Sequence, residues 1–132
     1  MSSIEPREHK PRRSKKENLE FEISFYEALL KKDPQFIEAL IPLAENYTRV
    51  GRHEDGLKID LELSKLLPQD PMVHYNLACS YSLLNQIDAS GKALDKAIHL
   101  GYHDFEHMEK DPDLANLRTS PVYHLIKKNI PK

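Results

Sequence analysis

A shift of 34 residues brings this chain onto itself. Leu43-Ala44-x-x-Tyr47 falls on Leu77-Ala78-x-x-Tyr81, Pro34 on Pro68, Lys58 on Lys92, Leu63 on Ala97 and Leu66 on Leu100. Gly51 falls on Asn85, and both residue types accept the left-handed backbone that a chain adopts just past a helix. A unit of this length holds two helices and their turns. One helix pair cannot bury its apolar face alone, so the repeat demands stacked helical layers. Ala44 and Ala78 are small where the two helices of a hairpin must approach, and Gly56 and Ser90 are the small residues opposite them. Leu43, Leu77, Tyr47 and Tyr81 fill the space between neighbouring helices.

The rest of the chain agrees with this pattern. From Glu17, Leu19, Ile23, Tyr26 and Leu30 form one apolar stripe at helical spacing, and Phe21, Phe25 and Leu29 form a second beside it. Asp33-Pro34 ends that helix and opens the next. Further helices are expected at roughly 35–50, ending at Gly51, at 53–67, stopped by Pro68, at 71–84, opened by Asp70-Pro71, and at 88–100, ending at Gly101. Pro42 falls inside the second of these and removes a hydrogen bond to the Glu38 carbonyl, so a bend is expected there. No stretch alternates with period two over a useful length. The expected fold is all-α: antiparallel helix hairpins in a solenoid.

In these residues and their period the sequence resembles the tetratricopeptide-repeat family. The resemblance covers a lone helix, 17–32, and two repeats, 37–70 and 71–102. Three positions depart from the family pattern: Leu40 and His74 stand where an aromatic is frequent, and Asp60 where a large apolar residue is usual. The run Asp111-Pro-Asp-Leu-x-x-Leu-Arg-x-x-Pro-x-Tyr123 is similar to the closing segment of many bacterial tetratricopeptide arrays. It implies capping helices over 103–132, with Leu114, Leu117, Tyr123 and Leu125 covering the open end of the fifth helix and Arg118 paired with Asp111 or Asp113.

The whole chain carries a net charge of −2, which hides an asymmetry. Residues 1–16 hold Arg7, Lys10, Arg12, Arg13, Lys15 and Lys16 against Glu5 and Glu8, a net +4, so residues 17–132 carry −6. The basic arm has Pro6 and Pro11 and few apolar side chains, and disorder is expected. Its Lys10–Lys16 run matches a nuclear-import or polyanion patch and equally a solvated tail. The acidic body argues against a folded nucleic-acid surface. A single cysteine, Cys79, rules out an internal disulfide. With no apolar leader and no run long enough to span a bilayer, no membrane role is expected and the default address is the cytoplasm.

Catalytic chemistry is not expected. Cys79 has no base beside it in sequence, and no glycine-rich phosphate loop occurs. His103 and His107 share a helix face at most, fewer ligands than a zinc site needs, so no metal or cofactor is expected. What remains is a binding groove. By the family resemblance, first helices line the concave face, placing Glu38, Ile41, Glu45 and Arg49 in the first repeat and Met72, Tyr75, Asn76, Cys79 and Leu83 in the second, with 105–110 in the third first-helix place. Helical phase turns Tyr75 and Asn76 to a ligand and Leu77 and Ala78 to the scaffold. The lysine, asparagine and arginine clamp that some family members close on a chaperone C-terminus is matched only at Asn76, since Ile41 and Glu45 replace two of its members. An apolar floor with an acidic rim suits an amphipathic or basic peptide. The expected function is therefore a protein-interaction module holding a peptide or helix of another protein. The alternative is a scaffold that dimerises through Phe21, Phe25 and Leu29.

Overall fold

The computed structural model describes residues 14–130. Five helices run in succession: α1 (Lys15–Lys32), α2 (Ile37–Arg49), α3 (His53–Leu66), α4 (Pro71–Leu83) and α5 (Ile87–His99). A shorter set follows: α6 (Phe105–Lys110), a 3-10 turn (Pro112–Leu114), α7 (Ala115–Arg118) and α8 (Pro121–Lys128). Among the described residues there is no strand. Each long helix packs on the next, and the last pieces pack back onto α4 and α5. The arrangement is an all-α helical repeat and fits the tetratricopeptide-like pattern of the sequence.

The helix boundaries follow from local chemistry. Ser14 caps α1: its Oγ accepts from the Glu17 amide at 3.1 Å, and its own amide donates to Glu17 Oε1 at 2.8 Å, a reciprocal capping box. This starts the helix two residues before the expected Glu17; the rest of the basic arm, 1–13, lies outside the described residues. Asp70 caps α4 by accepting from the Met72 and Val73 amides, with Pro71 as the first helical residue. The left-handed turns fall one repeat apart, Gly51 at φ 83° and Asn85 at φ 59°. The helix α2 runs through Pro42 without interruption.

The repeat positions form the core. Leu43, Ala44, Tyr47, Leu77 and Ala78 are buried, while Tyr81 is only half-buried. Ser90 donates from Oγ to the Ala78 carbonyl at 2.7 Å, which ties α5 to α4 where both residues are small. A Cβ added at Gly56 would rest at ordinary contact distance from Tyr47 and Thr48, so the close approach of α3 to α2 needs nothing larger. The stripe Ile23, Tyr26 and Leu30 packs on Leu43 and Tyr47. Polar ties join α1 to α2: Asn46 Nδ2 donates to Glu22 Oε1 at 3.2 Å, and the Tyr47 hydroxyl donates to Glu27. His74, buried in place of an aromatic, has Nε2 2.9 Å from the Pro68 carbonyl, which requires that nitrogen to carry the proton.

The closing segment seals the end of the array. Met108, Leu114, Leu117 and Tyr123 are buried with Leu94 and Ala97 of α5 in one cluster. Two expected details differ. Leu125 is 62% exposed, and Ile126 takes the buried place. Arg118 makes no ion pair with Asp111 or Asp113; its Nη1 donates to the backbone carbonyls of Met108, at 3.0 Å, and Asp111, at 2.6 Å. The guanidinium thereby satisfies the carbonyls left open where α6 stops.

Candidate functional site

A cleft of about 510 Å³ opens along α2 and α4, with α3 at its floor and the α6-to-turn segment at one end. Ile41, Ala44, Glu45, Thr48 and Arg49 of α2 and Met72, Val73, Tyr75, Asn76, Cys79 and Ser80 of α4 face it, while Leu43, Leu77 and Ala78 do not. Of the residues expected in the groove, Ile41, Glu45, Arg49, Met72, Tyr75, Asn76 and Cys79 line this cleft. Glu38 and Leu83 do not; Glu38 is exposed and Leu83 half-buried elsewhere.

The lining divides into an open rim and a closed end. Ile41 and Met72 are each 50% exposed, and Asn76 is exposed as well. Glu45 and Arg49 form an exposed i,i+4 pair at 2.6 Å. Tyr75 differs from expectation: it is buried, its ring stacks on Tyr102 at 4.3 Å, and its hydroxyl donates to Asp111 Oδ2 at 2.7 Å. The cap therefore occupies the side chain that helical phase assigns to a ligand. The same carboxylate faces His107 Nε2 at 3.2 Å and Cys79 Sγ at 3.7 Å, and its Oδ1 accepts from the Asp113 amide at 3.0 Å. Burial, then the hydrogen bond to Asp111, raises the Tyr75 phenol well above its ordinary range. Burial and the charges of Asp111 and Asp113 raise the Cys79 thiol, so it is held neutral and is a poor nucleophile. His103 lies away from this group, with Nδ1 2.9 Å from the Gly101 carbonyl.

Sequence reasoning missed most of the acidic lining. Asp70, Asp111 and Asp113 join Glu45 there, and Asp60 enters from α3. Asp60 is only 4% exposed and accepts a short hydrogen bond from Ser80 Oγ. Burial pushes its carboxyl up to about 6, against the smaller opposing effect of the Ser80 hydroxyl. The sequence did carry a signal for it: a carboxylate at a position where the repeat wants an apolar side chain. One repeat later the same position holds the fully buried Leu94.

No protein-family model matches the chain. It is similar to a chloroplastic protein of Arabidopsis thaliana, with 40% identity over 96 residues, covering 69% of this chain and 29% of that protein. It is also similar to the BBSome complex member BBS4 of Bos taurus, with 25% identity over 91 residues, covering 69% of this chain and 18% of that one. The chain spans less than a third of the length of the curated relatives it matches. Among the described residues no helix is long and apolar enough to cross a membrane.

Proposed function

We propose that this chain is a protein-interaction module which holds a peptide or helix of another protein in the cleft of α2 and α4, and that it is not an enzyme. The observation that carries the reading is the pair Ile41 and Met72, half exposed in the lining of a concave cleft along α2 and α4. Exposed apolar side chains set in a concavity gain from a partner more than they would on a convex surface. The likeness to a named member of the BBSome complex supports a role in protein contacts. The buried, neutral Cys79 supports a non-catalytic role. The test is affinity capture from the native host by the wild-type chain and by Met72→Glu. A partner held by the first and lost by the second, with helical content unchanged, is expected. Equal capture by both would overturn the groove reading.

A second reading, self-association, is favoured by one observation: Phe21 is 58% and Phe25 53% exposed on α1, while Leu29 beside them is half-buried. A two-fold contact between α1 helices would cover both rings. Light scattering across a dilution series decides it. A dimer that Phe25→Glu converts to a monomer supports the reading, and a wild-type monomer at high concentration overturns it.

A further inference from the structure

We propose that the cleft takes a lysine or arginine side chain of an amphipathic partner segment, its cation set against Asp60 and an adjacent apolar side chain seated on Ile41 and Met72. The inference rests on the groove reading above and names what the groove selects.

The charges of the cleft point to a cation. Both basic residues in the lining are already engaged, Arg49 with Glu45 at 2.6 Å and His107 with Asp111 at 3.2 Å. Asp60, Asp70 and Asp113 remain, and among the described residues none of them is in an ion pair. Asp70 spends an oxygen on the cap of α4. Asp60 has a neutral hydroxyl as its hydrogen-bond partner and is more than nine-tenths buried, yet it lines the cleft. A buried carboxylate without a counter-charge is costly, and an incoming cation would meet it in a region of low dielectric where the attraction is strong. One repeat later the equivalent place is filled by the fully buried Leu94, so the repeat pattern itself does not call for a carboxylate there, while in this repeat Asp60 accepts from the buried Ser80 hydroxyl. A bare divalent ion fits less well. Among the described residues no group of three or more His, Cys, Asp or Glu side chains is placed to hold one. The half-exposed Ile41 and Met72 ask for an apolar neighbour beside the cation, which a peptide supplies.

The experiment uses the full chain and a random 12-residue peptide library displayed on phage, followed by fluorescence polarisation with the selected peptides as labelled synthetic probes. Expected are peptides with a lysine or arginine next to apolar residues, whose binding is abolished by Ile41→Glu. Replacing the basic residue of the probe by norleucine should weaken binding to wild-type protein about ten- to a hundred-fold, the loss of a charge-assisted contact. The same replacement should make little difference on Asp60→Asn. The probe-side substitution needs no protein variant, so it tests the inference independently of any effect of Asp60→Asn on stability. Probes that lose binding on Ile41→Glu but are indifferent to norleucine overturn this inference and leave the groove reading standing. A library whose selected peptides all bind Ile41→Glu as well as wild type, or that yields none, overturns both.

Discussion

The substitution Asp60→Asn should stabilise the protein at neutral pH and do so in a pH-dependent way. In the folded chain the Asp60 carboxyl holds its proton up to about pH 6, whereas the ordinary value is 3.8. Between those two values the folded state binds a proton that the unfolded state has released. Stability therefore falls as pH rises through this window, the full cost is present above pH 6, and none of it below 3.8. About two pH units at 1.36 kcal/mol each make that cost about 2–3 kcal/mol. Asparagine keeps an acceptor for the Ser80 hydroxyl and cannot ionise. Urea unfolding followed by helical circular dichroism from mildly acid to neutral pH should give the two proteins different profiles. Their difference should grow in favour of Asp60→Asn with rising pH and level off above about pH 7. Comparison of the two chains cancels the other titrating groups, including Glu109, which Tyr123 and Lys127 hold low, and Asp113, which burial raises. A difference that is flat with pH, or that grows towards acid, would refute the account of Asp60 as a buried ionised group.

The C-terminal seal is open to similar tests. Gly91→Ala would set a Cβ 2.3 Å from Val122 Cγ1 and should cost about 1–3 kcal/mol as α8 is pushed from α5; adding Val122→Ala should restore the melting temperature, and no rescue would place the strain elsewhere. Tyr75→Phe removes the hydroxyl bound to Asp111 and should cost about 1–3 kcal/mol in denaturant unfolding, whereas no loss would mean that the Asp111 contact contributes little. Deleting everything after Gly101 uncovers Leu94 and Ala97, which the cap buries, and should give aggregation or a large loss of helical signal. A soluble monomer of unchanged stability would show that the cap is dispensable.

What the sequence reveals here follows the range of the physics involved. The repeat marks the small-on-small contact of Ala78 with Ser90 and the left-handed Asn85 because each depends on neighbours within one hairpin. Two stripes on α1 are legible, and only packing on Leu43 and Tyr47 decides that the stripe of Ile23, with the partly buried Tyr26 and Leu30, is the inward one. Helical phase points Tyr75 towards the cleft, and it lines the cleft, yet it is buried and its hydroxyl is taken by a carboxylate 36 residues away, a pairing that no helical phase encodes. In α8, only eight residues long, the apolar period is too short to separate Leu125 from Ile126, and the contact with α5 settles it. Arg118 was legible as a partner for the closing segment but not as a donor to backbone, because the carbonyls that α6 leaves open are invisible in side-chain letters.

The cap and the cleft are linked through one residue. Asp111 stops α6, orders the 3-10 turn by accepting from the Asp113 amide, and reaches back to Tyr75 on α4. The segment that covers the apolar end of the array thus also closes one end of the groove, since His107, Asp111 and Asp113 stand in its lining. Of the remaining lining, Ile41, Glu45, Arg49, Met72 and Asn76 are exposed and Asp60 is buried. On the groove reading proposed above, a partner would have a short footprint over α2 and α4, with few contacts to share the work of recognition. Each of them would then have to discriminate strongly, and the Asp60 carboxylate, buried and without an ion-pair partner among the described residues, would do so because a peptide without a matching cation leaves that charge uncompensated.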